Sequence, residues 1–179
     1  MTDIGANQGL VVGVADMAIG SAAKGRLVTY ALGSCIGLSA FDPVAKVGGL
    51  LHYMLPQPAE QADPKTLKPY MYATTGIPLL VRKLVEAGAR QDRLLLAAAG
   101  GAEILEGAAN MAIGKRNRTM LRKVLWKMNI ALVAEDTGGS VARTMTLDLD
   151  KGDVHIRSRD KEGLLWAPGM KVTVAKEQP

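Results

Sequence analysis

The chain of 179 residues contains a single cysteine, Cys35, and aromatic side chains make up only 4% of it. One thiol cannot form an intramolecular disulfide, and it is too little for a cysteine-ligated metal site. The longest apolar run, 94–102, is too short to span a bilayer. Residues 1–5 lack the basic and apolar regions of a signal peptide. We therefore expect a cytoplasmic protein with no inserted membrane segment, no metal and no other cofactor.

Positive charge is concentrated in one segment of the chain. The net charge is +5, and residues 115–127 hold six basic side chains and no acidic one. Such a stripe can face nucleic acid, an anionic membrane or an acidic protein, or it can be a solvated helix face, which is the commoner case. Trp126 is the only aromatic residue nearby, so base stacking has little support and we expect no nucleic-acid partner.

The pattern of apolar residues predicts one domain over residues 10–175, with a disordered tail at 1–9 and a short C-terminal tail at 176–179. Twenty glycines and eight prolines indicate many turns, which argues against a bundle of long helices. Strands outnumber helices, so we expect an α/β (α+β) layered sandwich of mixed, largely antiparallel sheets with two main helices. The predicted strands are 10–14, 27–31, 36–41, 47–55, 93–98 and 130–134, followed by a hairpin at 145–156; 20–25 is a predicted loop, and the helices are 74–88 and 115–128.

Cys35 and His52 are the residues best suited to catalysis. A lone cysteine in a chain without an export signal is a candidate nucleophile, although a buried cysteine that only fills space is common. His52 lies in an apolar strand and is predicted to be buried, whereas His155 alternates with apolar neighbours and is predicted to face solvent. A nearby imidazole can take the thiol proton to form a thiolate–imidazolium pair and later donate it to a leaving group, with a third residue orienting the ring. A core histidine bonded to a backbone carbonyl is the alternative.

Other polar segments offer weaker candidates. Glu135 and Asp136 could form a carboxylate pair, but the Thr-Gly-Gly that follows is more typical of a turn after a strand. Asn110 and Asn117 are predicted to serve loop and capping roles. Gly100-Gly101-Ala102 follows a strand but is neither a dinucleotide fingerprint nor a phosphate-binding loop.

Several segments, in order along about residues 11–157, closely resemble the CheD family of chemotaxis receptor glutamine deamidases. They are Thr29-Tyr30-Ala31-Leu32-Gly33-Ser34-Cys35-Ile36-Gly37, Phe41-Asp42-Pro43, Val47 to Pro56 with His52 inside it, Gly76-Ile77-Pro78-Leu79-Leu80, Gly100-Gly101-Ala102, Asn110-Met111, Ile113-Gly114-Lys115-Arg116-Asn117 and Val133 to Gly139. The chain departs from the family pattern at 70–75 and 140–142, and neither departure touches the candidate triad.

The resemblance implies a fold related to bacterial toxin deamidases and a Cys-His-Thr triad. Cys35 would be the nucleophile, His52 the general base and Thr29 the residue that orients the histidine. Ser34 and Gly33 would lie in the region that binds substrate or the oxyanion. The implied reaction converts glutamine side chains of methyl-accepting chemotaxis receptors to glutamate through a thioester. A CheC-type phosphatase is an implied partner, and the alternative function is a docking module with little or no catalysis.

Overall fold

The structure is a computed structural model that describes residues 9–103 and 112–172. This part of the chain contains ten β-strands and two α-helices, apart from short 3-10 turns. They are β1 (Leu10–Val11), β2 (Asp16–Ser21), β3 (Arg26–Leu32), β4 (Ile36–Asp42), β5 (Val47–Tyr53), α1 (Ala73–Glu86), β6 (Leu95–Gly100), α2 (Ile113–Lys127), β7 (Leu132–Thr137), β8 (Arg143–Asp148), β9 (Val154–Arg157) and β10 (Glu162–Trp166). Residues 1–8 of the N-terminal tail predicted at 1–9, the C-terminal tail predicted at 176–179, and Asn110 lie outside the described residues.

The strands form two five-stranded sheets. The first sheet has the order β1-β3-β8-β9-β10 and the second has the order β2-β5-β4-β6-β7. The pairs β1–β3 and β6–β7 are parallel, and the remaining neighbours are antiparallel. The prediction of a layered α+β sandwich with mixed, largely antiparallel sheets and two main helices is confirmed.

Side chains that alternate between the two faces of β4 and β5 connect three layers: the helices, the second sheet and the first sheet. On β5, Leu51 and Tyr53 pack with α1 and α2 in one apolar cluster. Leu50, one position out of phase, packs in a second cluster between the two sheets. Because successive side chains of a strand point to opposite faces, the second sheet is covered by helices on one side and by the first sheet on the other. His52 has the same phase as Leu50 and therefore faces the first sheet.

Two strands of the structure were not predicted. The predicted strand 10–14 ends at Val11, and a separate edge strand, β2, follows at Asp16–Ser21 and pairs with β5. Its start is set by a turn in which Ala15 has a φ of 55°, a conformation that no motif at this alanine indicates. The edge strand β10 pairs only with β9, and it contains Gly163 and a register shift, which weaken the alternating pattern.

Asp42 ties the end of β4 to the segment that precedes β6. Its buried carboxylate accepts hydrogen bonds from the Arg93 guanidinium at 2.7 and 3.0 Å and from the Arg90 N–H at 2.8 Å. The N–H groups of Val44 and Ala45 also donate to it. Burial by itself would raise the pKa of this carboxyl, but the hydrogen bonds outweigh it and hold the pKa well below its usual range.

Neither α1 nor α2, nor any shorter helix in the described part of the chain, has the length and apolarity needed to cross a bilayer.

Candidate active site

A bulge near the end of β3 brings the chain to Cys35. Thr29 pairs with Met145 and Leu32 with Arg143, so three steps on β3 match two on β8. The extra residue is accommodated at Ala31, whose φ is 56°. Thr29 and Leu32 are both fully buried, although a regular strand would place them on opposite faces. The bulge therefore keeps both side chains inside while the chain turns toward the second sheet.

The loop between β3 and β4 carries Cys35 and is held by three successive carbonyl groups. The Gly33 carbonyl accepts a hydrogen bond from the Ala102 N–H at 2.8 Å, and the Cys35 carbonyl accepts one from the Gly101 N–H at 2.7 Å. Between them, the Ser34 carbonyl accepts a hydrogen bond from the side-chain amide of Asn117 at 2.9 Å. Residues 33–35, called the nucleophile loop below after the candidate role of Cys35, are thus held from outside at three successive carbonyl groups.

Gly100 is required for this approach. Its φ is +107°, and a Cβ at this position would overlap the carbonyl oxygen of Cys35. Only glycine combines that conformation with such close contact between backbones. The glycine pair that matched no cofactor motif therefore serves as the wall against which the nucleophile loop packs.

Cys35 and His52 lie on the same face of the second sheet. Gly37 pairs directly with His52 across β4 and β5. Cys35 comes two residues before Gly37, which makes it the diagonal neighbour of His52 on the side that faces the first sheet. It is half-buried and packs against the apolar cluster between the sheets. The structure thus brings the two predicted residues into one region.

Thr29 contacts His52 from the opposite sheet. Its Oγ1 lies 2.7 Å from Nδ1 of His52 and 2.8 Å from the carbonyl oxygen of Val12. A carbonyl can only accept, so the single hydroxyl hydrogen of Thr29 goes to Val12, and Oγ1 accepts from Nδ1–H. This network assigns the tautomer: Nδ1 carries the proton, and Nε2 has a free lone pair.

The Nε2 atom of His52 is buried, and no hydrogen-bond partner for it is present among the described residues. Buried polar atoms are normally satisfied, so an orphaned acceptor on the sheet face that also carries a thiol calls for a functional reason. An imidazole with a fixed tautomer and a free Nε2 is suited to remove a proton from a nearby nucleophile.

Burial sets the resting protonation of the pair. It lowers the pKa of His52 to about 4 and raises the pKa of the Cys35 thiol, the second effect being partly offset by the N–H of Cys35 itself. Burial, together with the nearby charge of a Cys35 thiolate, also raises the pKa of Tyr53 well above its usual value. At neutral pH the site therefore holds a neutral thiol and a neutral imidazole, not the thiolate–imidazolium pair expected from the sequence.

The remaining predicted residues have different placements. The Gly33 N–H donates to the Ala31 carbonyl at 2.8 Å, so it is not free to bind an oxyanion. His155 is exposed and lines a surface groove on the outer face of the first sheet, away from His52. Glu135 pairs with Arg122 at 2.6 Å, and Asp136 pairs with Arg143 and Lys161 at 3.0 Å each. No cluster of three or more histidine, cysteine or acidic side chains suited to a metal occurs in residues 9–103 and 112–172.

Asn117 is the residue whose place the sequence reasoning misjudged. It does not cap a helix or lie in a loop; it is fully buried in the second turn of α2. The sequence signal was present, because Asn117 is four positions before Leu121 and so shares its buried face. A polar side chain on that face needs hydrogen-bond partners, which it finds at Ser34 and Met54.

A free thiol and an imidazole of fixed tautomer on one face, between the sheets of an α+β sandwich, are suited to nucleophilic attack on a carbonyl group. The comparisons with known proteins identify the family. The family model described as CheD chemotactic sensory transduction matches residues 54–158. This chain belongs to the CheD family.

Three relatives show the extent of the similarity. A protein of Solibacter usitatus named "Probable chemoreceptor glutamine deamidase CheD" is 46% identical over 86% of this chain and 90% of its own length. "Probable chemoreceptor glutamine deamidase CheD 1" of Syntrophus aciditrophicus is 42% identical over 83% of this chain and 93% of its own. A protein of Pyrococcus horikoshii with the same name as the first is 40% identical over 82% and 90%.

Proposed function

We propose that this protein hydrolyses the side-chain amide of glutamine residues on chemoreceptors, releasing ammonia and leaving glutamate. The observation that carries the proposal is the hydrogen-bonded series Val12–Thr29–His52, which leaves Nε2 free on the sheet face that carries Cys35. Relatives of 40–46% identity over most of the chain are named chemoreceptor glutamine deamidases. We further propose that the protein acts in the cytoplasm, the compartment expected from the sequence.

In the first half of the proposed reaction, Nε2 of His52 takes the proton of Cys35 as Sγ attacks the side-chain carbonyl carbon. Because the resting pair is neutral, proton transfer accompanies the attack instead of preceding it. The electron pair of the C=O bond moves to oxygen. When it returns, the C–N bond breaks, the imidazolium donates its proton to the departing nitrogen, and ammonia leaves a thioester on Cys35.

In the second half, water replaces the amide nitrogen. Nε2 of His52 takes a proton from the water as its oxygen attacks the thioester carbon. The C–S bond then breaks, Sγ takes the proton back from the imidazolium, and glutamate is released. Thr29 keeps Nδ1–H in place throughout, and it stabilises the imidazolium in both halves by accepting its hydrogen bond.

The negative oxygen of each tetrahedral intermediate needs hydrogen-bond donors. With the Gly33 N–H already bonded, we assign this role to the N–H groups of Ser34 and Cys35. In the described part of the chain, no acceptor is found for the Ser34 N–H. The three anchored carbonyls of residues 33–35 would hold these donors in a fixed orientation.

The proposal is tested by incubating a chemoreceptor cytoplasmic fragment with the protein and following ammonia release and glutamine-to-glutamate conversion by peptide mass spectrometry. Cys35→Ala and His52→Ala should abolish conversion. His155→Ala is the matched control, because His155 is the only other histidine and lies exposed on the far face of the first sheet. Equal conversion by Cys35→Ala and the unsubstituted protein would contradict catalysis by the thiol.

The second candidate function is docking on a chemoreceptor or on a CheC-type phosphatase. The observation that favours it is the outer face of α2, where Trp126 is 63% exposed. Lys123 and Lys127 flank it, and neither has an ion-pair partner among the described residues. Tryptophan is enriched among the residues that contribute most to binding at interfaces, and unpaired cations favour an acidic partner.

Lys123→Glu together with Trp126→Ala should weaken capture of a receptor fragment or of a CheC-type protein in a binding assay. Arg159→Glu is the control, since Arg159 is highly exposed and lies in the β9–β10 turn. If Cys35→Ala binds normally and the unsubstituted protein converts no glutamine, docking is the function. If the α2 variant binds as well as the control does, this face is only a solvated helix surface.

A further inference from the structure

Asn117 links the two catalytic elements through both hydrogens of its side-chain amide. Nδ2 donates to the carbonyl of Ser34 at 2.9 Å and to the carbonyl of Met54 at 2.7 Å. Ser34 immediately precedes Cys35, and Met54 comes two residues after His52. The side chain is completely buried, so no water competes for these bonds. One amide group thus spans the nucleophile loop and the end of β5.

The chemistry of this position is specific to asparagine. Two carbonyl oxygens face one atom, which must therefore be a donor with two hydrogens; the opposite orientation of the amide would set three acceptors against one another. The Oδ1 atom is left buried, with no partner among the described residues. An apolar side chain would avoid the cost of burying an unsatisfied acceptor. The presence of asparagine therefore indicates that the two hydrogen bonds donated by Nδ2 are worth that cost.

The backbone of Asn117 is fixed as well. Its carbonyl oxygen accepts a hydrogen bond from the Tyr53 hydroxyl at 3.1 Å, and Tyr53 is the residue next to His52. On the same helix, Gly114 packs so closely on Gly101 and Ala102 that a Cβ would overlap their carbonyl oxygens. The residues 101 and 102 are those whose N–H groups hold Cys35 and Gly33. The first two turns of α2 thus pack on both residues whose N–H groups hold the loop, and Asn117 holds it directly.

We propose that Asn117 is a positioning residue that sets the separation between Cys35 Sγ and His52 Nε2, and this inference rests on the proposed function. It touches neither reacting atom. Without its two hydrogen bonds, the Ser34 carbonyl and the end of β5 are free to move apart, and the proton transfer from thiol to imidazole loses its geometry. A displacement of about 1 Å in a reacting group can lower a rate by about 100-fold.

The test compares Asn117→Ala with Ser39→Ala. Ser39 is the matched control because it is equally buried, lies on β4 and donates a side-chain hydrogen bond to a carbonyl, that of Ala97 at 3.2 Å, away from the loop. Each variant is assayed for kcat and KM on a receptor fragment, and for alkylation of Cys35 by iodoacetamide, well below its melting temperature. For Asn117→Ala we expect kcat to fall by about 100-fold with KM nearly unchanged.

We expect alkylation of Cys35 to change in the opposite direction, because a released loop exposes the thiol and its pKa returns toward the ordinary value. Cys35 in Asn117→Ala should therefore be alkylated severalfold faster than in the unsubstituted protein. Cys35 in Ser39→Ala should be alkylated at the rate of the unsubstituted protein. If Asn117 had only a structural role, kcat would fall and alkylation would rise only in proportion to the loss of folded protein. At equal stability, Asn117→Ala and Ser39→Ala would then show equal changes. That result would overturn the proposal.

Asn117→Ser keeps one hydrogen-bond donor and replaces Asn117→Ala in the test if the alanine variant does not fold. Its kcat should lie between that of the unsubstituted protein and the roughly 100-fold lower value expected for Asn117→Ala. Full kcat and unchanged alkylation in the serine variant would also overturn the proposal. If the unsubstituted protein deamidates no receptor fragment, the proposed function fails. The alkylation comparison then still decides whether Asn117 holds the nucleophile loop.

Discussion

Thr29 Oγ1 and His52 Nδ1, on different sheets, are joined by a hydrogen bond of 2.7 Å. The hydroxyl hydrogen is directed to Val12, which makes the threonine an acceptor toward the imidazole. The bond therefore does more than connect two layers of the sandwich, since it determines which imidazole nitrogen is free to act as a base. Both residues are buried, so the assignment is protected from water.

Replacing the hydroxyl tests this assignment. Thr29→Val keeps a branched side chain but leaves Nδ1–H without an acceptor, so the ring can rotate or change tautomer. We expect kcat to fall by about 100-fold, within the range that a positioned general base contributes. Thr29→Ser keeps the hydroxyl and should retain most of the activity. Full kcat in Thr29→Val, measured by ammonia release, would show that the hydrogen bond does not orient the base.

The pH dependence of the reaction should reflect the lowered pKa of the His52 imidazole. Only the neutral imidazole can accept the thiol proton, and burial lowers the pKa of His52 to about 4. Activity is therefore present above that pH and lost as the pH falls through it, so the acid limb of kcat/KM should lie near 4 and not near 6.5. An acid limb at 6.5 or above would show that the pKa of His52 is not lowered, and would contradict an imidazole buried in its neutral form.

Thiol reactivity gives an independent check on the same point. Because burial raises the pKa of Cys35, less thiolate is present at neutral pH than in an unfolded chain. Alkylation by iodoacetamide at neutral pH should be slower in the folded protein than in the protein unfolded in urea. The rate should rise with pH through a midpoint above that of the unfolded chain. The single cysteine makes the mass-spectrometric signal unambiguous.

Stability should also depend on the protonation of His52. Its pKa is 6.5 when unperturbed and about 4 in the folded protein, so between these values the unfolded chain binds a proton that the folded chain does not. The free energy of unfolding should therefore rise with pH across this window, by up to about 1.4 kcal/mol per pH unit. Urea unfolding at pH steps across the window should show this slope, and His52→Gln should remove it.

His155→Gln is the control for that slope, because His155 is exposed. Asp42 acts in a different window: its lowered pKa means that its contribution is present above its usual 3.8 and is lost as the pH falls below that value. If His52→Gln and His155→Gln change the slope between pH 4 and 6.5 equally, the imidazole of His52 is not buried in its neutral form.

Gly100 and Gly88 form a matched pair for testing the wall behind the nucleophile loop. Their φ angles are +107° and +102°, but a Cβ on Gly88 would meet no atom of the described residues within 4 Å. Gly88→Ala should therefore show backbone strain alone, about 1–2 kcal/mol with unchanged kcat. Gly100→Ala adds the overlap with the Cys35 carbonyl, so it should lose more stability and most of kcat. Equal effects would mean that the contact with Cys35 is not important.

Local patterns predicted much of the fold. The apolar stretch around His52 indicated a strand buried on both faces, and the periodicity of α1 and α2 predicted both helices close to their observed bounds. The edge strands β2 and β10 were not predicted because neither has a clear alternating pattern. Each pairs with a single neighbouring strand, and the start of β2 is set by the turn at Ala15.

The geometry of the site depends on contacts that no local pattern contains. Thr29 and His52 are 23 residues apart, and their contact exists only because two sheets pack face to face. Asn117 is 83 residues from Ser34 and 63 from Met54. Its polar side chain on an apolar helix face indicated that partners were needed, but which partners it contacts depends on how α2 lies across the second sheet.

The bulge at Ala31 has a consequence for how the protein acquires activity during folding. Because of this bulge, β3 remains paired in the first sheet as far as Leu32, and Cys35, three residues later, immediately precedes β4 of the second sheet. A chain in which both sheets had formed separately would hold Cys35 beside His52, yet the imidazole would have no Thr29 to select its tautomer. Catalytic competence is thus expected to develop last, at the step in which the two sheets associate and exclude water from between them.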